Sequence, residues 1–192
     1  MIRAVIFDFF GVLASRDSAS FRKAHLADYP QKDQKAKILN DELGRGNLGY
    51  DDFISELAKL GGVDRETVLG FTENYHPNTE LLDYIQGILK PNYKLGIISN
   101  AGDDWVLRIL GDKIYKLFDD IILSYKVGMI KPEPEIYKMS ARNLGVNPGD
   151  CVFIDDILTY CQGAEHVGMS TIWYQDFKQM KRELEAILAV RI

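Results

Sequence analysis

Acidic side chains stand at the ends of two apolar segments of this chain. Asp8 follows residues 2–7, which are apolar apart from Arg3, and the tandem pair Asp155 and Asp156 follows residues 151–154. A carboxylate is costly to place beside a hydrophobic core unless a cation or hydrogen bonds hold it. Carboxylate oxygens are also ligands that Mg²⁺ prefers in proteins. These acids are therefore candidates for a nucleophile and a metal site.

Other polar side chains have positions from which they could join these acids. Ser99, followed by Asn100, ends another apolar segment, and Lys131 lies in a loop that prolines stiffen before the next predicted helix. Crowded carboxylates raise one another's pKa and need nearby cations. A lysine and a divalent ion would supply that charge, and phosphoryl transfer needs mainly positioning and charge neutralisation. The residues together predict a phosphate and metal site.

The segments around these residues indicate how they could meet. From residue 78 onward, predicted helices alternate with short apolar strands, and the predicted strands cover residues 94–99, 121–124, 151–155 and 171–174. This alternation is typical of a parallel sheet with helices on both faces. Residues at the carboxyl ends of such strands converge on one edge of the sheet, where ligands bind.

The segment after the first predicted strand has a different pattern, with apolar side chains at helical spacing up to about residue 76. We therefore predict a doubly wound α/β core, residues 1–14 and 77–192, with a small helical cap inserted after the first strand as residues 15–76. Residues 44–49 match G-x-G-x-x-G, but a dinucleotide site needs a strand directly before this motif. We predict a helix-to-helix loop in which Arg45 is solvated or reaches the substrate.

Composition limits the classes of function. The 192 residues carry a net charge of -5, and basic residues form no block, which argues against nucleic acid and acidic membranes as partners. Two cysteines and three scattered histidines support neither a disulfide framework nor a zinc site. No apolar run approaches the roughly 18 to 20 residues of a membrane span. We expect a cytoplasmic protein that acts on a small molecule, and nothing in the sequence indicates its oligomeric state.

Four segments, residues 7–13, 97–100, 131–137 and 153–156, together resemble the motifs of the haloacid dehalogenase-like (HAD) hydrolase superfamily. Each segment alone is a weak signal, but four in order at suitable spacing are a strong one. The resemblance implies a Rossmann-like core, and the helical insert resembles the small cap of that family.

The resemblance also implies roles in the reaction. Asp8 would be the nucleophile that forms an acyl-enzyme or aspartyl-phosphate intermediate. Ser99 and the backbone N–H of Asn100 would hold the transferring group, and Lys131 would neutralise charge on that group and on Asp8. Asp8 and Lys131 are thus the expected catalytic residues.

The same resemblance implies a set of ligands for Mg²⁺. The ion would be held by Asp8, by the backbone carbonyl of Phe10 and by Asp156, with Asp155 binding it directly or through water. Ile157 and Tyr160 stand where many relatives have Ser and Asn, which weakens the expected support of the metal-binding acids.

Phe10 departs from the family pattern, because phosphatases of this type usually carry there an Asp that acts as general acid and base. Losing a positioned acid or base typically costs about 10²- to 10⁴-fold in rate. Haloacid dehalogenases also lack this acid, but they are metal-free and lack the full pair of acids in the fourth motif. We expect a Mg²⁺-dependent phosphatase for a small phosphorylated metabolite. A metal-independent 2-haloacid dehalogenase and a catalytically weakened binding protein are the alternatives.

Overall fold

The computed structural model describes residues 1–16 and 18–189 as strands and helices in alternation. The strands in chain order are β1 (Ala4–Phe7), β2 (Ala14–Arg16), β3 (Tyr75–Pro77), β4 (Lys94–Ser99), β5 (Asp120–Leu123), β6 (Cys151–Asp155) and β7 (Ser170–Trp173). The helices are α1 (Ser18–His25), α2 (Pro30–Gly44), α3 (Tyr50–Gly61), α4 (Arg65–Thr72), α5 (Thr79–Tyr84), α6 (Trp105–Tyr115), α7 (Ser124–Val127), α8 (Pro134–Asn143), α9 (Leu158–Glu165) and α10 (Phe177–Ala189). A π-helical turn, Ile85–Leu89, continues α5, and a 3-10 turn, Pro148–Asp150, precedes β6.

The central sheet has the strand order β5-β4-β1-β6-β7, and every neighbouring pair is parallel. The backbone N–H of Asp8, the residue after β1, donates a 2.8 Å hydrogen bond to the carbonyl of Ile154 in β6. On the other side of β1, strand β4 ends at Ser99. The carboxyl ends of the three central strands therefore meet at one edge, and the predicted α/β fold is confirmed.

Side chains of the inner strands alternate between two hydrophobic clusters, one on each face of the sheet. Val5 and Phe7 pack with α5, α6 and α10, whereas Ala4 and Ile6 pack with α8 and α9. This period of two residues directs Asp8 to the same face as Ile6. The same alternation in β6 places Asp155 on that face, so both carboxylates approach the loop before α8.

Strands β4 and β6 begin and end at the predicted residues. The prediction of a strand over residues 121–124 is one residue too late, because β5 ends at Leu123 and Ser124 already begins α7. The side chain of Ser124 forms hydrogen bonds with the backbone of Ala101. Strand β7 likewise starts at Ser170, one residue before its predicted start. These shifts leave the order of the sheet unchanged.

The predicted cap segment, residues 15–76, contains helices α1 to α4 around a hydrophobic core of its own. That core includes Phe21, Ile54 and Val68, each buried. Helix α4 begins after Asp64, whose carboxylate accepts a 2.7 Å hydrogen bond from the backbone N–H of Thr67. The domain boundaries predicted after residues 14 and 76 remain predictions.

The prediction of an uninterrupted helical pattern between Leu13 and residue 76 is wrong at both ends. Strand β2 pairs antiparallel with β3, with Ser15 opposite His76. A three-residue strand is too short to show the alternation by which strands are recognised in a sequence. The pairing brings the two ends of the cap segment side by side where the chain leaves and re-enters the core.

A candidate membrane-spanning helix is not found in the part of the chain that the structure describes.

Candidate active site

The ammonium group of Lys131 lies between two carboxylates. Its Nζ atom is 2.6 Å from Oδ1 of Asp8 and 2.6 Å from Oδ2 of Asp155. All three side chains are buried, and Lys131 extends from the loop before α8 with its Nζ 5.4 Å from the ring centroid of Phe153. Buried charges are tolerated when they are paired at good geometry, and removing one partner leaves an uncompensated charge. The three residues thus form one electrostatic unit.

The backbone of Lys131 is fixed by the side chain of Asn100. Asn100 accepts a 2.8 Å hydrogen bond from the N–H of Lys131 through Oδ1, and donates a 3.1 Å hydrogen bond through Nδ2 to its carbonyl. The same Nδ2 donates to the hydroxyl of Tyr160 at 3.3 Å, and the ring centroid of Tyr160 lies 4.9 Å from Nζ of Lys131. The predicted Asn100 is therefore in contact with the lysine loop through its side chain.

The two tandem acids have different surroundings. Both carboxylate oxygens of Asp155 accept hydrogen bonds, one from Lys131 and the other from the backbone N–H of Ile157 at 2.8 Å. Asp156 is more exposed, and its backbone carbonyl accepts a 2.9 Å hydrogen bond from the indole N–H of Trp173. Asp155 thus uses both of its oxygens in hydrogen bonds within the protein, whereas Asp156 is an exposed residue at the same edge of the sheet.

The acids form a cluster suited to a hard cation. Asp8, Asp155 and Asp156 each offer a carboxylate oxygen, and these oxygens lie within 4.8 Å of one another. Burial raises the pKa of Asp8 to about 7 against the lowering effect of Lys131. Burial, followed by the charge of Asp155, also raises the pKa of Asp156. An all-oxygen donor set with more negative than positive charge fits Mg²⁺.

The other two predicted site residues lie at the same edge of the sheet. Ser99 ends β4 and is buried. Phe10 is half-buried, and its ring packs edge-on against Phe9 at 4.8 Å between centroids and lies 6.3 Å from Trp105. Phe10 therefore adds an aromatic wall, and no proton donor, at its position.

A cavity of about 380 Å³ lies between the cap segment and the core. Phe53 and Trp105 contribute to its apolar part, and Asn100 borders it on the core side. Its polar lining from the cap segment includes Arg22, Lys37, Asn40 and Asp41. Asp8 is absent from the lining, but the lining residues Asn100 and Tyr160 both contact Lys131. The cavity therefore adjoins the acid cluster and can hold the part of a small molecule that extends away from it.

Sequence reasoning missed two contributions to this region. Trp173 is 47% exposed, and its indole N–H donates a hydrogen bond to the Asp156 carbonyl. The register of β6 and β7, which pairs Asp155 with Trp173, is the signal that could have indicated this. Arg45, which the sequence predicts to be solvated or to reach the substrate, forms an ion pair with Glu133.

Comparison with known proteins places the chain in a family. The family model for haloacid dehalogenase-like hydrolases matches residues 2–168. The chain is 29% identical to D-ribitol-5-phosphate phosphatase from Bacteroides thetaiotaomicron, over 98% of this chain and 99% of that protein.

Solved structures agree with this assignment. A HAD-like family hydrolase from Porphyromonas gingivalis has a TM-score of 0.76 and 28% identity, with 98% of each chain covered. A HAD family enzyme from Bacteroides thetaiotaomicron, solved with magnesium and inorganic phosphate, has a TM-score of 0.72 and 25% identity, with 94% of this chain and 99% of that chain covered. The chain belongs to the haloacid dehalogenase-like hydrolases, is an enzyme of that family, and has named relatives that favour a phosphatase over a dehalogenase.

Proposed function

We propose that this protein is a Mg²⁺-dependent phosphatase that acts on a small phosphorylated metabolite through an aspartyl-phosphate intermediate on Asp8. The observation that carries the proposal is the position of the Lys131 ammonium, 2.6 Å from both Asp8 and Asp155, beside the more exposed Asp156. This arrangement pairs one oxygen of Asp8 with a cation and leaves the other oxygen for attack.

In the first step, Oδ2 of Asp8 attacks the phosphorus atom, the bond from phosphorus to the leaving oxygen breaks, and the phosphoryl group is carried on Asp8. Lys131 holds Oδ1 and fixes the direction of attack. The Ser99 hydroxyl and the backbone N–H of Asn100 donate hydrogen bonds to phosphoryl oxygens. In the second step, water attacks phosphorus, inorganic phosphate leaves, and the carboxylate of Asp8 is restored.

Mg²⁺ would be held by the carboxylates of Asp8 and Asp156 and by the carbonyl of Phe10, and when bound it neutralises charge on the phosphoryl oxygens. Asp155 supports this set indirectly, since its oxygens bind Lys131 and the Ile157 N–H. The cation and Lys131 together balance the charge of three carboxylates, which burial otherwise makes costly.

Phe10 sets the expected rate. Its ring cannot give a proton to the leaving alkoxide or take one from the attacking water, so water has to serve both needs. Loss of a positioned acid and base typically slows a reaction by about 10²- to 10⁴-fold. Esters with good leaving groups, which depart without protonation, should therefore be turned over best.

The substrate class follows from the cavity beside the acid cluster. A cavity of about 380 Å³ with a polar lining that includes Asn40 and Asp41 and an aromatic wall at Trp105 suits a small hydroxylated leaving group. D-ribitol 5-phosphate, named for a relative that is 29% identical, is a natural first compound to assay. We infer a small phosphorylated polyol or sugar as the substrate class.

The test is an assay of phosphate release from D-ribitol 5-phosphate, sugar phosphates and p-nitrophenyl phosphate, with Mg²⁺ or with EDTA. Asp8→Asn preserves shape and removes the nucleophile, and Asp83→Asn, at an exposed position, is the matched control. We expect release that requires Mg²⁺, disappears in Asp8→Asn and persists in Asp83→Asn.

The same panel includes 2-chloropropionate, because Phe10 also suits a halide, which leaves without a proton. Halide release that is insensitive to EDTA would replace the phosphatase proposal with a dehalogenase. Absence of both activities in folded protein would favour a ligand-binding role instead.

A further inference from the structure

An ion pair connects the cap segment to the loop that carries Lys131. Arg45, directly after α2, pairs through Nη2 with Oε1 of Glu133, 88 positions later in the chain. Among the ion pairs between described residues, it alone joins the cap segment to the core. Both side chains are 34% exposed, so the pair is partly shielded from water.

Glu133 closes the turn in which Lys131 lies. Its Oε2 accepts a 3.2 Å hydrogen bond from the backbone N–H of Ile130, and its own N–H donates a 2.9 Å hydrogen bond to the carbonyl of Ile130. The hydrogen bond from Arg45 lowers the pKa of Glu133. Arg45 therefore favours the ionised form of a side chain that holds Ile130, the neighbour of Lys131.

The loop around Arg45 is fitted closely to the same part of the core. A Cβ on Gly44 would lie 3.2 Å from Cγ2 of Ile130. Gly46 has a φ of +77°, and a Cβ on it would lie only 2.5 Å from the Tyr125 carbonyl oxygen. Nη1 of Arg45 also lies 3.5 Å from the carbonyl of Gly128. The backbone of this loop is thus close enough to direct Arg45 at Glu133.

We propose that Arg45 is a positioning residue for catalysis, which acts through Glu133 to hold the turn of Lys131 in place. The chain of contacts runs from Arg45 to Glu133, to the N–H of Ile130, and through Lys131 to Asp8. Docking of the cap segment and alignment of the catalytic lysine are coupled in this way. The inference rests on the proposed function of Lys131 in phosphate release.

The experiment compares Arg45→Gln with the conservative variant Arg45→Lys, which keeps the positive charge and leaves the Ile130 N–H its acceptor on Glu133. Kinetics use p-nitrophenyl phosphate, whose good leaving group makes the missing acid unimportant. Arg65→Gln is the control, because Arg65 pairs with Asp51 inside the cap segment, away from the lysine loop. Hydrogen exchange of the Ile130 amide is measured in every variant as a readout that does not depend on activity.

We expect Arg45→Gln to lower kcat roughly 10- to 100-fold with little change in KM, as small misplacements of catalytic groups do. The Ile130 amide should exchange faster in this variant, whereas Arg45→Lys should retain part of both kcat and protection. Arg65→Gln should behave as the wild type.

Unchanged kcat and Ile130 protection in Arg45→Gln would overturn the inference, as would equal losses in Arg65→Gln. A change in KM alone would also overturn it, because that result assigns Arg45 to substrate binding. If the wild-type protein releases no phosphate while Arg45→Gln still exposes the Ile130 amide, the proposed function fails and the coupling between Arg45 and the lysine turn is supported.

Discussion

Gly11 lies so close to the carboxylate of Asp156 that a Cβ on Gly11 would overlap the carboxylate carbon and both of its oxygens. The φ of Gly11 is +99°, a conformation that L-residues with a side chain rarely adopt. The carboxylate of Asp156, a candidate metal ligand, therefore packs directly against the turn after β1. It can occupy this position because Gly11 has no side chain.

Gly11→Ala should weaken Mg²⁺ binding and destabilise the protein. The left-handed backbone costs about 1–2 kcal/mol for a residue with a Cβ, and the methyl group must displace Asp156. Calorimetric titration of Mg²⁺ and chemical denaturation measure the two effects. Gly70→Ala is the matched control, since a Cβ there meets nothing within 4 Å and its φ is ordinary. Equal Mg²⁺ affinity in Gly11→Ala and the wild type would remove Asp156 from the site.

Lys131→Met should destabilise the metal-free protein and abolish phosphate release. Removing the ammonium leaves the carboxylates of Asp8 and Asp155 buried without compensation, which typically costs about 3–5 kcal/mol. Lys126→Met removes a half-exposed lysine that pairs with Asp104, and pairs of that kind contribute about 0–1 kcal/mol. Denaturation at neutral pH with EDTA compares the two, and equal stabilities would contradict the buried electrostatic unit.

The metal-free protein should lose stability as pH rises from about 4 to about 7. Burial raises the pKa of Asp8 to about 7, above the ordinary Asp value of 3.8. A raised pKa in the folded state means that the folded protein binds the proton more tightly, so its stabilising contribution is full below the unfolded pKa and is lost as pH rises through the folded pKa.

Denaturation curves in EDTA at several pH values measure this slope. Asp8→Asn should have a flatter profile across the same window, because the amide does not titrate. Saturating Mg²⁺ should reverse part of the loss at neutral pH by binding the ionised carboxylate. A wild-type slope that equals that of Asp8→Asn would show that Asp8 titrates normally.

The sequence sufficed to predict the sheet and the acid cluster, and the reasons are physical. Strands β4 and β6 are buried on both faces, so their apolar runs mark them clearly. Parallel strands with helical crossovers then require Asp8, Ser99 and Asp155 to meet at one edge. The buried face of α10 was predictable too, because Met180 and Leu184 recur at helical spacing.

Contacts between distant segments were not predictable in this way. The pairing of β2 with β3 joins two three-residue segments about 60 positions apart, and neither segment has a pattern of its own. The pair of Arg45 and Glu133 depends on how the cap segment docks, which no local periodicity encodes. The hydrogen bond from the indole N–H of Trp173 was not predictable either, because its acceptor is a backbone carbonyl, a group that every residue type has.

Phe10→Asp should raise turnover of alkyl phosphates more than that of p-nitrophenyl phosphate. A carboxyl group there could give a proton to a poor leaving group, a contribution typically worth about 10²- to 10⁴-fold. Loss of packing against Phe9 and Trp105 should offset part of this gain. Phe10→Asn is the matched control, with the same size and no proton to give. Equal rates for the two variants on alkyl phosphates would show that the missing acid does not limit turnover.

The most direct test of the account is reductive trapping of the acyl phosphate during turnover. Borohydride reduces a phosphorylated Asp to homoserine, which peptide mapping by mass spectrometry locates in the chain. With a phosphate ester and Mg²⁺ present, we predict homoserine at position 8, and none when EDTA replaces Mg²⁺. Steady phosphate release with an unreduced Asp8, and an Asp8→Asn variant that keeps this activity, would contradict the central claim.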